Sequence, residues 1–147
     1  MSVTGQPQEL GILFFVANRA LEQRAFDAVV AAGITDITQA QARVVARISP
    51  DGSRVTDLAE QARITKQSAA FLVEQLEAAG YVERVPDPTD RRARLVRLTS
   101  RAQRVVQAAD AEVQRVLDEW SDHVGKERLR QMHQTLRDLR QITDPWR

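Results

Sequence analysis

Most of the chain repeats apolar side chains with the period of an α-helix. Between residues 9 and 32 they recur every three or four positions, which predicts one long helix that Gly33 ends. Residues 100–124 and the segment after Gly125 show the same spacing and predict two further long amphipathic helices. The repeating apolar residues of the last helix are Leu129, Met132, Leu136 and Leu139.

The pattern changes over shorter distances in the middle of the chain. Thr38 and Gln41 have capping-box spacing, which predicts a second helix that runs to a Ser-Pro-Asp-Gly turn. Thr56 and Thr65 are expected to cap a short helix and a longer one, and Gly80 ends the longer one. Because only two residues separate these helices, they predict a helix-turn-helix. The segments "YVERVP" and "RLVRLT" then alternate apolar and polar residues around a turn, so a β-hairpin follows and completes a winged helix.

The long terminal helices need a partner for their apolar stripes. A helical hairpin alone cannot bury them, so they must pack against the first helix or against another copy of the chain. A monomeric three-helix bundle and a two-fold dimer both meet this need. We favour the dimer, because helix-turn-helix DNA readers commonly place two recognition helices roughly 34 Å apart on a palindromic site.

The positive charge of the chain is concentrated in the predicted hairpin. The formal net charge is only +1, yet residues 84–104 hold seven arginines against Asp87 and Asp90. Such a local basic patch is typical of a surface that meets a polyanion, although a solvated, salt-bridged loop is the alternative. The predicted fold is mainly α (α+β), a winged helix-turn-helix between dimerisation helices. The predicted domains are the N-terminal dimerisation helix (1–35), the DNA-binding domain (36–99, with its recognition helix at about 65–79 and its wing at about 81–99) and the C-terminal dimerisation helices (100–147).

The sequence gives no sign of catalytic or metal chemistry. The chain has no cysteine, which excludes disulfides and thiolate metal sites. His123 and His133 lack a second ligand at metal-binding spacing, and no phosphate-binding loop or nucleophile motif occurs. We therefore expect no enzyme activity, no metal and no cofactor. No apolar run is long enough for a membrane span and no leader is evident, so a cytoplasmic protein is expected.

The segments "TDLAEQARITKQSAAFLVEQLEAAGYVER" and "DPTDRRARLVRLT", with the order of predicted elements, resemble the MarR family of bacterial transcriptional regulators. The resemblance covers essentially the whole chain. The wing signature of that family is met by Asp90, Arg92, Leu98 and Thr99. The chain departs from the family at Phe71, where many members have a basic or polar residue. It departs again at Ala102, where glycine is usual.

The resemblance implies roles for the predicted wing and recognition helix. In the family the wing tip enters the minor groove, so Arg92 is expected there, with Asp90 as the carboxylate that supports it. Arg91 and Arg94, with Arg97, are expected at phosphates or on the strand face. The N-terminal turn of the recognition helix faces the major groove, where Gln67 can read adenine and Lys66 can bind guanine or phosphate. The full set expected at that turn is Thr65, Lys66, Gln67 and Ser68, of which Thr65 and Ser68 have helix capping as an alternative role.

Two predictions concern side chains with no evident partner. Phe71 is expected to be buried against the hairpin, and contact with a thymine methyl is the alternative.

A small aromatic or amphipathic anion is expected to bind where the DNA-binding lobe meets the helical dimer region, with Phe15, Arg19 and Arg43 as candidate contacts. The alternative is that Phe15 is core and both arginines are solvated.

The leading hypothesis is a homodimeric repressor that binds double-stranded DNA at a palindromic operator and is released by a small-molecule ligand. A constitutive or architectural DNA-binding protein would share the DNA-facing residues but lack the ligand. A protein-binding module that uses the long helices is the third hypothesis, and the absence of salt-dependent DNA binding would favour it.

Overall fold

The computed structural model describes residues 6–146. It contains six helices and one antiparallel hairpin in that range. In chain order they are α1 (Pro7–Ala31), α2 (Gln39–Val45), α3 (Val55–Ala62), α4 (Lys66–Ala78), β1 (Val82–Asp87), β2 (Asp90–Leu98), α5 (Ser100–Val124) and α6 (Lys126–Thr143). The predicted mainly α winged helix-turn-helix fold is confirmed. None of the described helices is long and apolar enough to cross a membrane.

Local capping explains where several helices begin and end. The Thr38 hydroxyl accepts a hydrogen bond from the Gln41 amide, and the Gln41 side chain accepts one from the Thr38 amide, so the predicted capping box begins α2. The Thr65 hydroxyl likewise caps α4 through the Ser68 amide at 3.0 Å. At the other end of α4, Gly80 has φ +82° and the Tyr81 amide bonds back to the Leu76 carbonyl, as a Schellman motif requires.

The predicted cap at Thr56 is wrong. The cap lies two residues earlier, at Arg54, which is in extended conformation and makes no side-chain bond to the helix, and α3 begins at Val55. Arg63 ends the helix in the left-handed conformation, with φ 55°, so that α4 can begin three residues later. The helix-turn-helix geometry therefore depends on a strained, non-glycine residue in the turn.

Residues 29–108 form one compact unit. Its core contains buried side chains from α3, α4 and the hairpin, among them Leu58, Val73, Leu76, Tyr81 and Val96. The predicted DNA-binding range of 36–99 lies inside this unit, and that range itself stays a prediction.

A short bridge fixes the base of the wing. Ser53 and Val96 exchange main-chain hydrogen bonds of 2.9 Å and 2.8 Å, which join the segment before α3 to β2. Gly52 lies beside this bridge with φ +97°, and a Cβ there would come within 2.9 Å of the Leu95 Cβ. Glycine is therefore required for this close approach.

Tyr81 anchors the start of the hairpin. Its ring is buried, its hydroxyl donates to the Asp36 carboxylate, and the Arg101 guanidinium lies 4.5 Å from the ring centroid. Arg101 also pairs with Asp36 at 2.6 Å. The hydrogen bond from Tyr81 lowers the pKa of Asp36, and burial raises the pKa of Tyr81.

A second compact unit contains residues 6–28 and 109–145. Within it Arg24 of α1 pairs with Glu112 at 2.7 Å and Glu119 at 2.8 Å, both on α5. The predicted apolar stripes of α1 and α6 are largely exposed in the single chain, which bears on the proposed dimer. The exposed apolar residues of this unit are Leu10, Ile12, Leu13, Phe14, Phe15, Val16, Met132, Leu136, Leu139 and Ile142.

Candidate nucleic-acid interface

The N-terminal turn of α4, with its cap residue, presents four polar side chains to solvent. Lys66 and Gln67 are exposed, as a surface that contacts DNA requires. Thr65 and Ser68 are exposed too, but the Thr65 hydroxyl donates to the Ser68 hydroxyl at 2.8 Å while it caps the helix. The capping role that was the alternative for Thr65 is therefore present in the structure, and base contact by any of the four residues stays a prediction.

The burial predicted for Phe71 is wrong, because 59% of the residue is exposed. Helix α4 buries Ala69, Val73 and Leu76 along one side. At about 100° per residue, Phe71 lies on the opposite side of the helix, close to the direction of Gln67. The ring therefore points away from the core of this unit.

Asp87 organises the tip of the wing. One of its oxygens accepts hydrogen bonds from the Thr89 amide at 2.8 Å and the Thr89 hydroxyl at 2.7 Å, which forms an Asx-type turn. The other oxygen accepts from Arg54 Nε at 3.0 Å and Nη2 at 2.7 Å. The Thr89 hydroxyl, its amide and the Arg54 guanidinium together lower the pKa of Asp87 to about 2. The carboxylate is thus charged at neutral pH and holds the turn closed.

Asp90 supports the wing through the main chain. Its Oδ1 accepts a hydrogen bond of 3.0 Å from the Arg92 amide, and its Oδ2 lies 3.9 Å from Arg54 Nη2. The observed contact fixes the backbone at Arg92 rather than its guanidinium. The Arg92 side chain itself is exposed.

The arginines of the hairpin divide into two groups. Arg97 pairs with Glu83 across the strands at 2.7 Å, and Arg84 pairs with Glu77 at 3.4 Å. Within residues 6–146 no carboxylate lies at salt-bridge distance from the three other arginines, which are all exposed. This unpaired group is Arg91, Arg92 and Arg94. A cluster of exposed, unneutralised guanidiniums on a hairpin is suited to bind a polyanion.

Sequence reasoning missed Arg54 and Asp87 as parts of this site. An aspartate two residues before a threonine is a local signal for an Asx turn, and "DPT" carries it. Arg54 has no such signal, because its partner lies 33 residues away along the chain.

The predicted ligand contacts are placed as follows. The Arg19 guanidinium lies 5.6 Å from the Phe15 ring centroid, and 62% of Phe15 is exposed. Arg43 belongs to the other compact unit, where its carbonyl accepts a hydrogen bond from Arg47. A ligand role for these residues stays a prediction. In the described part of the chain, no group of three histidine, aspartate or glutamate side chains is arranged to hold a metal ion.

The chain is similar to known transcriptional regulators. A sequence model of the MarR family matches residues 33–93. The HTH-type transcriptional regulator FarR of Neisseria gonorrhoeae is 29% identical over 110 residues, which cover 74% of this chain and 75% of FarR.

Solved structures agree in fold. NadR in complex with 4-hydroxyphenylacetate has a TM-score of 0.70 at 25% identity, over 95% of this chain and 97% of NadR. The transcriptional regulator PA4135 has a TM-score of 0.68 at 26% identity, over 91% of this chain and 97% of PA4135. With its wing, its helix-turn-helix and these similarities, the chain resembles DNA-binding transcriptional regulators of the MarR family, whose sequence model it matches over residues 33–93.

Proposed function

We propose that the protein is a homodimeric repressor that binds a palindromic operator and leaves it when a small aromatic or amphipathic anion binds. The observation that carries the DNA-binding part is the placement of the wing and α4 in one compact unit. There the unpaired arginines of the wing and the exposed first turn of α4 belong to the same folded body. Arg92 is proposed for the minor groove, with Arg91 and Arg94 at phosphates. Gln67 is proposed for a base edge in the major groove, and Lys66 for guanine or a phosphate.

The exposed apolar faces of α1 and α6 support the homodimer. Monomeric proteins rarely leave so many large apolar side chains in solvent, and a second copy of the same helices would cover them. A two-fold dimer would present two copies of α4, so a palindromic site with half-sites roughly 34 Å apart is the matching DNA.

Ligand control rests on a relative and on the chemistry of candidate residues. NadR, at 25% identity, was solved with 4-hydroxyphenylacetate, a small aromatic carboxylate. Arg19 and Arg43 could each pair with a carboxylate, and the Phe15 ring offers an aromatic surface. A constitutive DNA-binding protein is the second candidate, and it has the same wing and recognition helix.

A binding assay on the DNA upstream of the protein's own gene tests the DNA-binding part. Fluorescence anisotropy at several salt concentrations should give a dissociation constant that rises steeply with salt, because phosphate contacts release counterions. Footprinting should then give two protected half-sites related by two-fold symmetry. Weak, salt-independent association with every DNA would contradict the proposal and favour a protein-binding role for the long helices.

Control by ligand is tested on the same DNA with 4-hydroxyphenylacetate as the probe. Release of the DNA, together with a higher melting temperature of the free protein, is the expected result. In a reconstituted transcription assay the protein should lower transcript levels, and the probe should restore them. If related aromatic and amphipathic carboxylates change neither melting nor DNA binding, the constitutive candidate is preferred.

A further inference from the structure

The ring of Phe71 is largely exposed and is not part of the buried core. It lies on the side of α4 opposite the buried residues Ala69, Val73 and Leu76, and 59% of it is in solvent. We propose that Phe71 reads DNA sequence by covering the 5-methyl group of a thymine in the major groove. This inference rests on the proposed binding of DNA through α4 and adds the kind of base that this helix selects.

The spacing of Phe71 from Gln67 allows the two side chains to contact neighbouring base pairs. The two residues are four positions apart, so they lie on one face of the helix about 6 Å apart along its axis. In a duplex that distance corresponds to one or two base pairs, since ten pairs span roughly 34 Å. Gln67 can thus contact one base edge while Phe71 reaches the next pair or the one after it.

The chemistry of the ring limits what it can select. The thymine methyl is the apolar feature of the major groove, whereas the other base edges present hydrogen-bond donors and acceptors. A phenyl ring pressed against a donor or acceptor would remove its water and offer no hydrogen bond in return. Phe71 therefore favours thymine by contact and disfavours the other bases by desolvation.

The surroundings of Phe71 favour DNA over a protein as the partner. Lys66 and Gln67 precede it on the same helix, and the unpaired arginines of the wing belong to the same compact unit. Most of the large exposed apolar side chains, by contrast, belong to the other unit, on α1 and α6. A single aromatic ring among cationic and amide side chains is suited to a polyanion with isolated apolar methyl groups.

Uracil scanning tests the proposal directly. Within the footprinted operator, each thymine is replaced in turn by deoxyuridine, which removes only the methyl group. The wild-type protein should lose affinity by about fourfold at one thymine per half-site, which corresponds to the ~0.8 kcal/mol of one buried methyl-sized group. Phe71→Ala should bind the thymine operator about tenfold more weakly and should no longer distinguish thymine from uracil there. Because Phe71 is exposed, this variant should fold normally, and circular dichroism checks it.

Lys66→Ala is the matched control, because Lys66 lies on the same helix and is proposed to contact the same DNA. It should weaken binding and lower the salt dependence, yet keep the fourfold preference for thymine. Should Phe71→Ala bind too weakly to measure, Phe71→Leu, which keeps an apolar contact, is expected to retain part of the preference. The inference is overturned if the wild type distinguishes thymine from uracil at no position, or if Phe71→Ala keeps the full preference. DNA binding itself would survive either result, whereas a wild type that binds no DNA would refute the proposed function and this inference together.

Discussion

Arg54 and Asp87 join the helix-turn-helix to the wing through two hydrogen bonds, from Arg54 Nε at 3.0 Å and Nη2 at 2.7 Å to one carboxylate oxygen. Arg54 occupies the cap position of α3, and Asp87 ends β1. Thr89 occupies the other oxygen of Asp87, so both sides of the carboxylate are held. This carboxylate therefore ties the wing tip to the residue that precedes α3.

Asp87→Asn should weaken DNA binding without unfolding the protein. The amide oxygen can still accept from Thr89, but the charge that holds Arg54 is gone and the wing tip gains freedom. We expect a dissociation constant several times larger and a melting temperature lower by roughly 2 to 4 °C, the size of one ordinary hydrogen-bonded contact. Glu83→Gln is the control, because it removes a carboxylate of the same hairpin whose pair with Arg97 is about half exposed. Equal effects of the two variants would mean that Asp87 has no special role in the wing.

The stabilisation by Asp87 should disappear in acid. Its pKa is lowered from an ordinary value of 3.8 to about 2, so the folded state favours the charged form. The contribution is therefore complete above about pH 4 and is lost as the pH falls towards 2. The amide introduced by Asp87→Asn cannot titrate, so the difference in free energy of unfolding between wild type and this variant should shrink across this window. Urea unfolding at pH 7, 4, 3 and 2 measures it, and a difference that stays constant would contradict the assignment.

The features that could be predicted from the sequence are those that depend on residues close together along the chain. The Thr38 capping box, the Thr65 cap and the Gly80 helix end each depend on residues within a few positions, and the structure has all three. The bond of Arg54 to Asp87 depends on the tertiary fold, which no local pattern reveals. It also explains the wrong prediction at Thr56, since Arg54 occupies the cap position without a cap bond and its side chain is turned to Asp87.

Phe71 was misplaced for a different reason. Its position relative to Ala69, Val73 and Leu76 was readable from the helical period, and that period puts it on the outer face. The general preference of phenylalanine for protein interiors pointed the other way. In α4 the position of Phe71 in the helical period determined its exposure. The exposed ring lies on the surface that we propose contacts DNA.

Arg92→Ala should weaken binding to all DNA sequences by a similar factor and reduce the preference for A·T pairs at the edges of the site. An arginine in a narrow minor groove responds to the electrostatic potential there, so we expect a loss of roughly 1 to 3 kcal/mol in binding free energy. Asp90→Ala should act in the same direction, because Asp90 fixes the backbone amide of Arg92.

Arg97→Ala is the matched control for the wing. Arg97 lies on the same strand but is already paired with Glu83, so its removal should change DNA affinity less than that of Arg92. Anisotropy titrations of all three variants make the comparison. Unchanged affinity in both Arg92→Ala and Asp90→Ala would exclude the wing from DNA binding.

Leu136→Glu should disrupt the proposed dimer. Leu136 is 40% exposed on α6, in line with Met132 and Leu139, and a buried charge between two subunits would be strongly destabilising. We expect monomer or aggregate in sedimentation, while Gln141→Glu, on the opposite face of the same helix, should remain dimeric. A wild-type protein that sediments as a stable monomer at micromolar concentration would refute the arrangement.

A ligand that releases the operator should bind the free protein more tightly than the DNA-bound protein. This follows from linkage, because a ligand shifts the population between two states only by its difference in affinity for them. If saturating ligand lowers DNA affinity tenfold, calorimetry should therefore find the ligand bound about tenfold more weakly to the DNA complex. Arg19→Ala and Arg43→Ala should weaken binding of a small aromatic carboxylate and leave DNA affinity without ligand unchanged, whereas Arg137→Ala, an exposed arginine on α6, should change neither. Equal ligand affinity for the free and DNA-bound protein would mean that the ligand does not control DNA binding, and the constitutive DNA-binding protein would be the better description.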